Sequence, residues 1–254
     1  MSLFNVGFVI FPELTQLDFT GPQQVLARLP HSAMHIIAKS AAPVSSDSGL
    51  SLLPTHTFEN CPQLDLICIP GGSSGVVRAM GDRDTIEFVQ SQSVTAKYVT
   101  SVCTGAFILG AAGLLKGRRA TTHWAFTELL PLVGATHEKG RVVRDGNVIT
   151  AGGVTSGIDF GLNAVAAIAG ETVAQSIQLS LEYDPTHLLT PAIPIVRLIA
   201  PKPQCSPDMR KREQRFAMGS LASQRCEQLL VVNLNALQGR WDRRAFLQDG
   251  DQCP

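Results

Sequence analysis

A chain of 254 residues with 44% hydrophobic side chains can bury one full-sized core, which excludes an extended disordered protein. Lys and Arg number 21, as do Asp and Glu, so no global field recruits nucleic acid or an acidic membrane, and a small molecule or another protein is the expected partner. The N-terminus, Met1-Ser2-Leu3-Phe4-Asn5-Val6-Gly7, lacks a basic stretch with a small-residue cleavage site, and no apolar run reaches the roughly 20 residues of a membrane-spanning helix. A cytoplasmic protein is expected.

Leu3 to Phe11 is a continuous apolar run of strand length, the pattern of a strand buried on both faces of a mainly parallel sheet. Asp18-Phe19-Thr20-Gly21-Pro22 reads as capping residues with Pro near the first turn of a helix over Gln24 to Leu29. Met34 to Ala38 reads as the next strand, and Asp47-Ser48-Gly49 as a hairpin turn between two short extended stretches. Leu64 to Ile69 is a buried-strand pattern that ends in Pro70-Gly71-Gly72, where the backbone can turn tightly and expose its amides.

Asp84 to Gln92 reads as helix, Lys97 to Val102 as strand, and Thr104 to Ala112 as a small-residue helix stopped by Gly113. Cys103 stands at the junction. His123 to Leu130 reads as a further helix, and Arg141 to Thr150, with Asp145-Gly146 in the middle, as a second hairpin. Gly152-Gly153 follows. Ser156-Gly157-Ile158-Asp159 matches a capping box opening a helix to Ile168, and another helix is expected over Glu171 to Glu182. Strands alternate with helices almost throughout, so the fold class is a three-layer α/β sandwich with a mostly parallel central sheet.

The character changes after Asp184. Residues 185–254 hold ten Lys and Arg against six Asp and Glu, and prolines crowd Pro185 to Pro207. The expected division is therefore an α/β domain over 1–184 and an irregular or partly helical extension over 185–254. A short helix over Arg225 to Leu237 is the only element that extension offers.

Chemistry concentrates at the carboxyl ends of the strands, where open α/β sheets form their ligand crevices. Cys103 between a strand and a helix would meet backbone N–H groups and the positive end of a helix dipole, both of which favour the thiolate. The amides of Gly72 and Thr104 could together form an anion pocket. Asp18 reaches the same crevice if the first strand is central, and a carboxyl beside a thiolate has its pKa raised. Each residue also has a plainer reading. Cys103 could be a buried structural thiol, Asp18 a helix cap, Gly71 and Gly72 a simple turn, and His123 a packed helix residue. The other cysteines (Cys61, Cys68, Cys205, Cys226, Cys253) show no paired or metal-site spacing, so neither disulfides nor a metal are expected.

Five segments occur together: Leu17 to Pro22, Ile69 to Gly72, Val102-Cys103-Thr104-Gly105-Ala106-Phe107, Gly117 to Trp124, and Thr150-Ala151-Gly152-Gly153. On these the chain resembles the ThiJ/PfpI superfamily, and within it the isonitrile hydratase group, over about residues 3–184. The resemblance implies a flavodoxin-like sandwich, a homodimer, and a nucleophilic cysteine at Cys103 with an acidic partner at Asp18. It implies hydration of an isonitrile to an N-substituted formamide through a thioimidate on Cys103. Asp18 would act as general acid and then base, with no metal or organic cofactor. Thr104 stands where proteases of the superfamily often carry His, so a peptidase resting on an adjacent Cys-His pair is disfavoured. Thr104 is instead expected to position water or substrate, with Gly71, Gly152 and His123 lining the pocket. Two alternatives remain: a ligand-sensing domain like those of AraC-type regulators, and a glyoxalase-like enzyme acting on reactive carbonyls.

Overall fold

The N-terminal apolar run forms β1 (Phe4–Val9), whose Val6, Phe8 and Val9 are buried, as both faces of the sheet are covered. The computed structural model describes residues 3–185, with positions 228 and 231 besides. Apart from these positions, the C-terminal extension and its candidate helix over 225–237 lie outside the described residues. After β1 come α1 (Gln16–Leu26), β2 (Ser32–Ala38), β3 (Val44–Ser45), β4 (Ser51–Leu52), β5 (His56–Thr57) and β6 (Leu66–Ile69). There follow α2 (Ser74–Gly81), α3 (Arg83–Ser93), β7 (Tyr98–Val102), α4 (Gly105–Ala111) and β8 (Arg119–Ala120). A 3-10 helix (Trp124–Val133), β9 (Thr136–His137), β10 (Val142–Asp145), β11 (Val148–Ala151), α5 (Ser156–Ala169) and α6 (Glu171–Ser180) complete the described elements.

Seven strands form one sheet in the order β10-β11-β7-β6-β1-β2-β5. Every neighbouring pair is parallel except β10 with β11, which is the expected hairpin. Gly7 faces His35 on one side and Ile67 on the other, placing β1 between β2 and β6. The helices pack as two groups, α1 with α5 and α6, and α2 with α3 and α4, so the sheet is the middle of three layers. Phe8, Phe107 and Phe160, from β1, α4 and α5, are among the largest fully buried side chains. Among the described residues, no helix is long and apolar enough to cross a membrane.

Several elements differ from the sequence expectation for identifiable reasons. Helix α1 begins at Gln16, behind an extended Thr15, and carries Pro22 in its interior. An interior proline removes one helical hydrogen bond and normally costs about 3 kcal/mol. Here its ring lies against α5, where a Cβ on Gly157 would meet Pro22 Cδ at 2.9 Å. Close helix packing offsets the lost bond. Helix α2 has no counterpart among the sequence expectations; Gly75 is required there, since a Cβ would lie 2.3 Å from the Pro12 carbonyl oxygen. The segment after His123 is a 3-10 helix rather than an α-helix; it holds Pro131 and ends on Gly134 at φ 79°. The capping box at Ser156 does not form: Thr155 is the cap residue and makes no side-chain cap bond. Asp159 turns outward to Arg141 and Tyr183.

Candidate functional site

The order of the sheet reverses between β1 and β6, since β2 and β5 lie to one side and β7 and β11 to the other. At such a switch point the loops leaving the strands diverge and a crevice opens beyond their carboxyl ends. β1 leads to the first turn of α1 and Asp18, β6 to Pro70-Gly71-Gly72, and β7 directly to Cys103.

Asp18 is fully buried. Its Oδ2 accepts a 3.0 Å hydrogen bond from the Gly71 amide, and the Cys103 side chain lies beside its carboxyl. Oδ1 is enclosed with no partner among the described residues. Burial raises the Asp18 pKa to about 7, and the neighbouring Cys103 side chain and the Gly71 amide offset only part of that rise. Gly71 is obligatory here. A Cβ on it would meet Asp18 Oδ2 at 2.6 Å and the Thr104 nitrogen at 2.7 Å.

Cys103 is held at φ 57°, in the left-handed region that disfavours any residue with a Cβ. Its amide is shared between the carbonyls of Ala151 at 3.0 Å and Gly152 at 2.9 Å, and Thr122 Oγ1 donates to its carbonyl at 2.7 Å. These bonds fix the strained backbone at the end of β7. Cys103 is 6% exposed, and the backbone amides of Thr104 and Val154 lie near its sulfur. Burial first, then the Asp18 charge, push the thiol pKa well up, and the two amides offset only part of that rise. Cys68 shifts in the same direction: it is also buried, and its thiol rises to about 12 through burial.

Thr104 and Gly72 are placed differently from the expectation. The Gly72 amide donates to Thr104 Oγ1 at 3.0 Å, and the same hydroxyl donates to the Gly72 carbonyl at 2.8 Å. Both groups are thus engaged with one another, so neither the Gly72 amide nor the Thr104 hydroxyl is free to face a ligand. The Thr104 amide is one of two backbone groups that lower the Cys103 pKa. The second amide comes from Val154 rather than Gly72. Sequence reasoning missed Val154, since a backbone donor leaves no mark in side-chain identity; the one available signal was the Gly152-Gly153 turn leading into a helix.

His123 Nδ1 accepts from the Ala125 amide at 3.3 Å, which puts the ring proton on Nε2, and burial lowers its pKa. The neutral ring packs on Gly153, where a Cβ would lie 2.8 Å from Cδ2. Gly152 and His123 line a cleft of about 680 Å³ that Thr122, Trp124, Lys139, Arg141 and Val154 share. The cleft abuts the Cys103 backbone through Thr122, bonded to its carbonyl, and Gly152, bonded to its amide.

Comparison with known proteins identifies the family. The DJ-1/PfpI family model matches residues 5–167, a span that holds Asp18, Gly71, Cys103 and Val154. The chain is 56% identical over 181 residues to an isonitrile hydratase of Pseudomonas putida, covering 71% of this chain and 79% of that protein. It is 25% identical over 190 residues to the HTH-type transcriptional regulator GbdR of Pseudomonas aeruginosa, covering 71% of this chain but 51% of the regulator. Among solved structures, a ThiJ/PfpI family protein from Pseudomonas syringae superimposes with a TM-score of 0.75 at 38% identity, covering 91% of each chain. With the family model spanning the sheet and both loops that carry the buried acid and the strained cysteine, this chain belongs to the DJ-1/PfpI family.

Proposed function

We propose that this protein hydrates an isonitrile to the corresponding N-substituted formamide, with Cys103 as nucleophile and Asp18 as proton carrier. The observation that carries the proposal is the close Asp18–Cys103 pair, buried at the switch point beside the amides of Thr104 and Val154. The similarity to an isonitrile hydratase over most of both chains supports the choice of substrate.

The chemistry follows from the pair. Asp18 and Cys103 titrate together rather than singly. With one proton between them, it rests on sulfur because Asp18 ionises first; the nearby amides lower the cost of passing it to Asp18, and the thiolate so formed is the reacting species. The thiolate attacks the terminal carbon of R–NC while Asp18 delivers its proton to that carbon. This leaves R–N=CH–S–Cys103 and an Asp18 carboxylate. The carboxylate then takes a proton from water as the oxygen adds to the same carbon, and passes it to the nitrogen. Collapse of R–NH–CH(OH)–S–Cys103 expels the thiolate, returns the hydroxyl proton to Asp18 and releases R–NH–CHO. The site has regained its starting proton. In this scheme Thr104 contributes its amide to the sulfur, and its hydroxyl holds the Gly72 backbone in place.

The test follows loss of the isonitrile infrared stretch and appearance of formamide. Cys103→Ala is expected to abolish turnover, and Asp18→Asn to lower it by about a hundredfold or more. Saturable isonitrile binding without product would overturn the proposal in favour of a ligand sensor, and turnover of methylglyoxal alone would favour a glyoxalase-like activity.

A further inference from the structure

The cleft beside Cys103 has a charge character that the hydration chemistry does not use. Lys139 and Arg141 line it, and no Asp or Glu does among the described residues. Arg141 is partly committed: its Nε donates to Asp159 at 2.6 Å and its Nη2 reaches Thr155 at 3.3 Å. Its Nη1 has no partner among the described residues. Lys139 is exposed and enters no ion pair among them. The Arg141–Asp159 pair is close to neutral as a unit, so Lys139 leaves the cleft with excess positive charge. His123 adds none, since burial favours its neutral ring.

The other linings set the shape of what fits. Trp124 is half-exposed at 51% and gives an apolar wall beside the His123 ring, with the two ring centres 5.4 Å apart. Val154, whose backbone lowers the Cys103 pKa, lines the same cleft. A substituent carried from the sulfur into this cleft would meet Trp124 and the cations. A concave site with an apolar wall and a few convergent polar groups takes a ligand of matching polarity. A cation with no acidic neighbour stays available for a charge-assisted hydrogen bond.

We propose that this cleft selects isonitriles whose substituent carries a carboxylate, held by Lys139 with the free edge of the Arg141 guanidinium. The proposal rests on the hydratase reading for its reaction, and on the cleft alone for its specificity. It names Lys139 as a specificity-determining residue.

The experiment compares potassium isocyanoacetate with methyl isocyanoacetate, which differ in charge at nearly the same length, on the full-length protein. Wild type is expected to show the higher kcat/KM for the acid. Lys139→Met should lower the acid-to-ester ratio by about threefold to tenfold, Lys139→Arg should largely restore it, and added salt should depress it in wild type. A wild-type ratio at or below one, or a ratio that Lys139→Met leaves unchanged, overturns the proposal. If neither compound is hydrated, the hydratase reading falls, and calorimetry with N-formylglycine and its methyl ester decides the remaining question. Tighter binding of the acid, lost in Lys139→Met, supports the charged cleft; equal or absent binding overturns it.

Discussion

The Asp18 carboxyl ionises at about 7 in the folded protein against an ordinary 3.8, so the folded state holds this proton more tightly than the unfolded chain does. Its stabilising contribution is therefore complete below pH 3.8 and drains away as the pH rises through about 7. Asp18→Asn removes the charge and with it that loss. In urea denaturation the variant should be more stable than wild type at pH 8 by on the order of 3 kcal/mol, with the difference vanishing near pH 4. The same proton governs turnover. Below about 7 the pair holds both protons and lacks a nucleophile, so kcat/KM is expected to rise with pH through about 7 and then level. Thr104 is a separate matter. Thr104→Val leaves the amide and carbonyl of Gly72 unpaired, which should destabilise the protein by about 2 to 4 kcal/mol in denaturant titrations. Thr104→Ser keeps both bonds and should recover most of that loss.

Helices α1 and α5 approach through glycine. A Cβ on Gly161 would meet Val25 Cβ at 2.8 Å, and one on Gly157 would meet Pro22 Cδ at 2.9 Å. Helix α1 carries Asp18, and Val154 lies two residues before α5, so this contact sets the spacing of acid, sulfur and amide. Gly157→Ala is expected to push the helices apart at a cost of about 1 to 3 kcal/mol. It should also slow alkylation of Cys103 by iodoacetamide at pH 8, because the Val154 amide withdraws from the sulfur; an unchanged alkylation rate would separate the two effects. The strands β1 and β6 were legible in the sequence because largely apolar runs end in Pro12 and Pro70-Gly71-Gly72, and β7 because the aromatic and β-branched residues of Tyr98 to Val102 end at Cys103. The start of α1 was not, because Pro22 marks a helix start in isolation, whereas here tertiary packing against Gly157 overrides that local preference. Asp18 and Cys103 were found by their positions after strands. The pairing of Thr104 with Gly72 was hidden, since a hydroxyl that bonds backbone looks the same in sequence as one that faces a ligand.

All seven strands of the main sheet and every described helix lie between Phe4 and Ser180, and the core cluster over the same span is continuous. We propose that residues 1–184 fold as one unit. A chain ended after Asp184 is expected to unfold in urea as one transition and to retain the Asp18–Cys103 pair, read by the same pH dependence of thiol alkylation as the full chain. A loss of cooperativity on shortening would place essential packing beyond that point. The sheet order also has a consequence for the growing polypeptide. The acid and the sulfur emerge from the ribosome well before residue 154, yet the sulfur rests against an amide that only the later β11-to-α5 segment supplies. A nascent chain thus holds both reacting groups while lacking part of their electrostatic setting, and full thiol reactivity should switch on only when synthesis has passed α5.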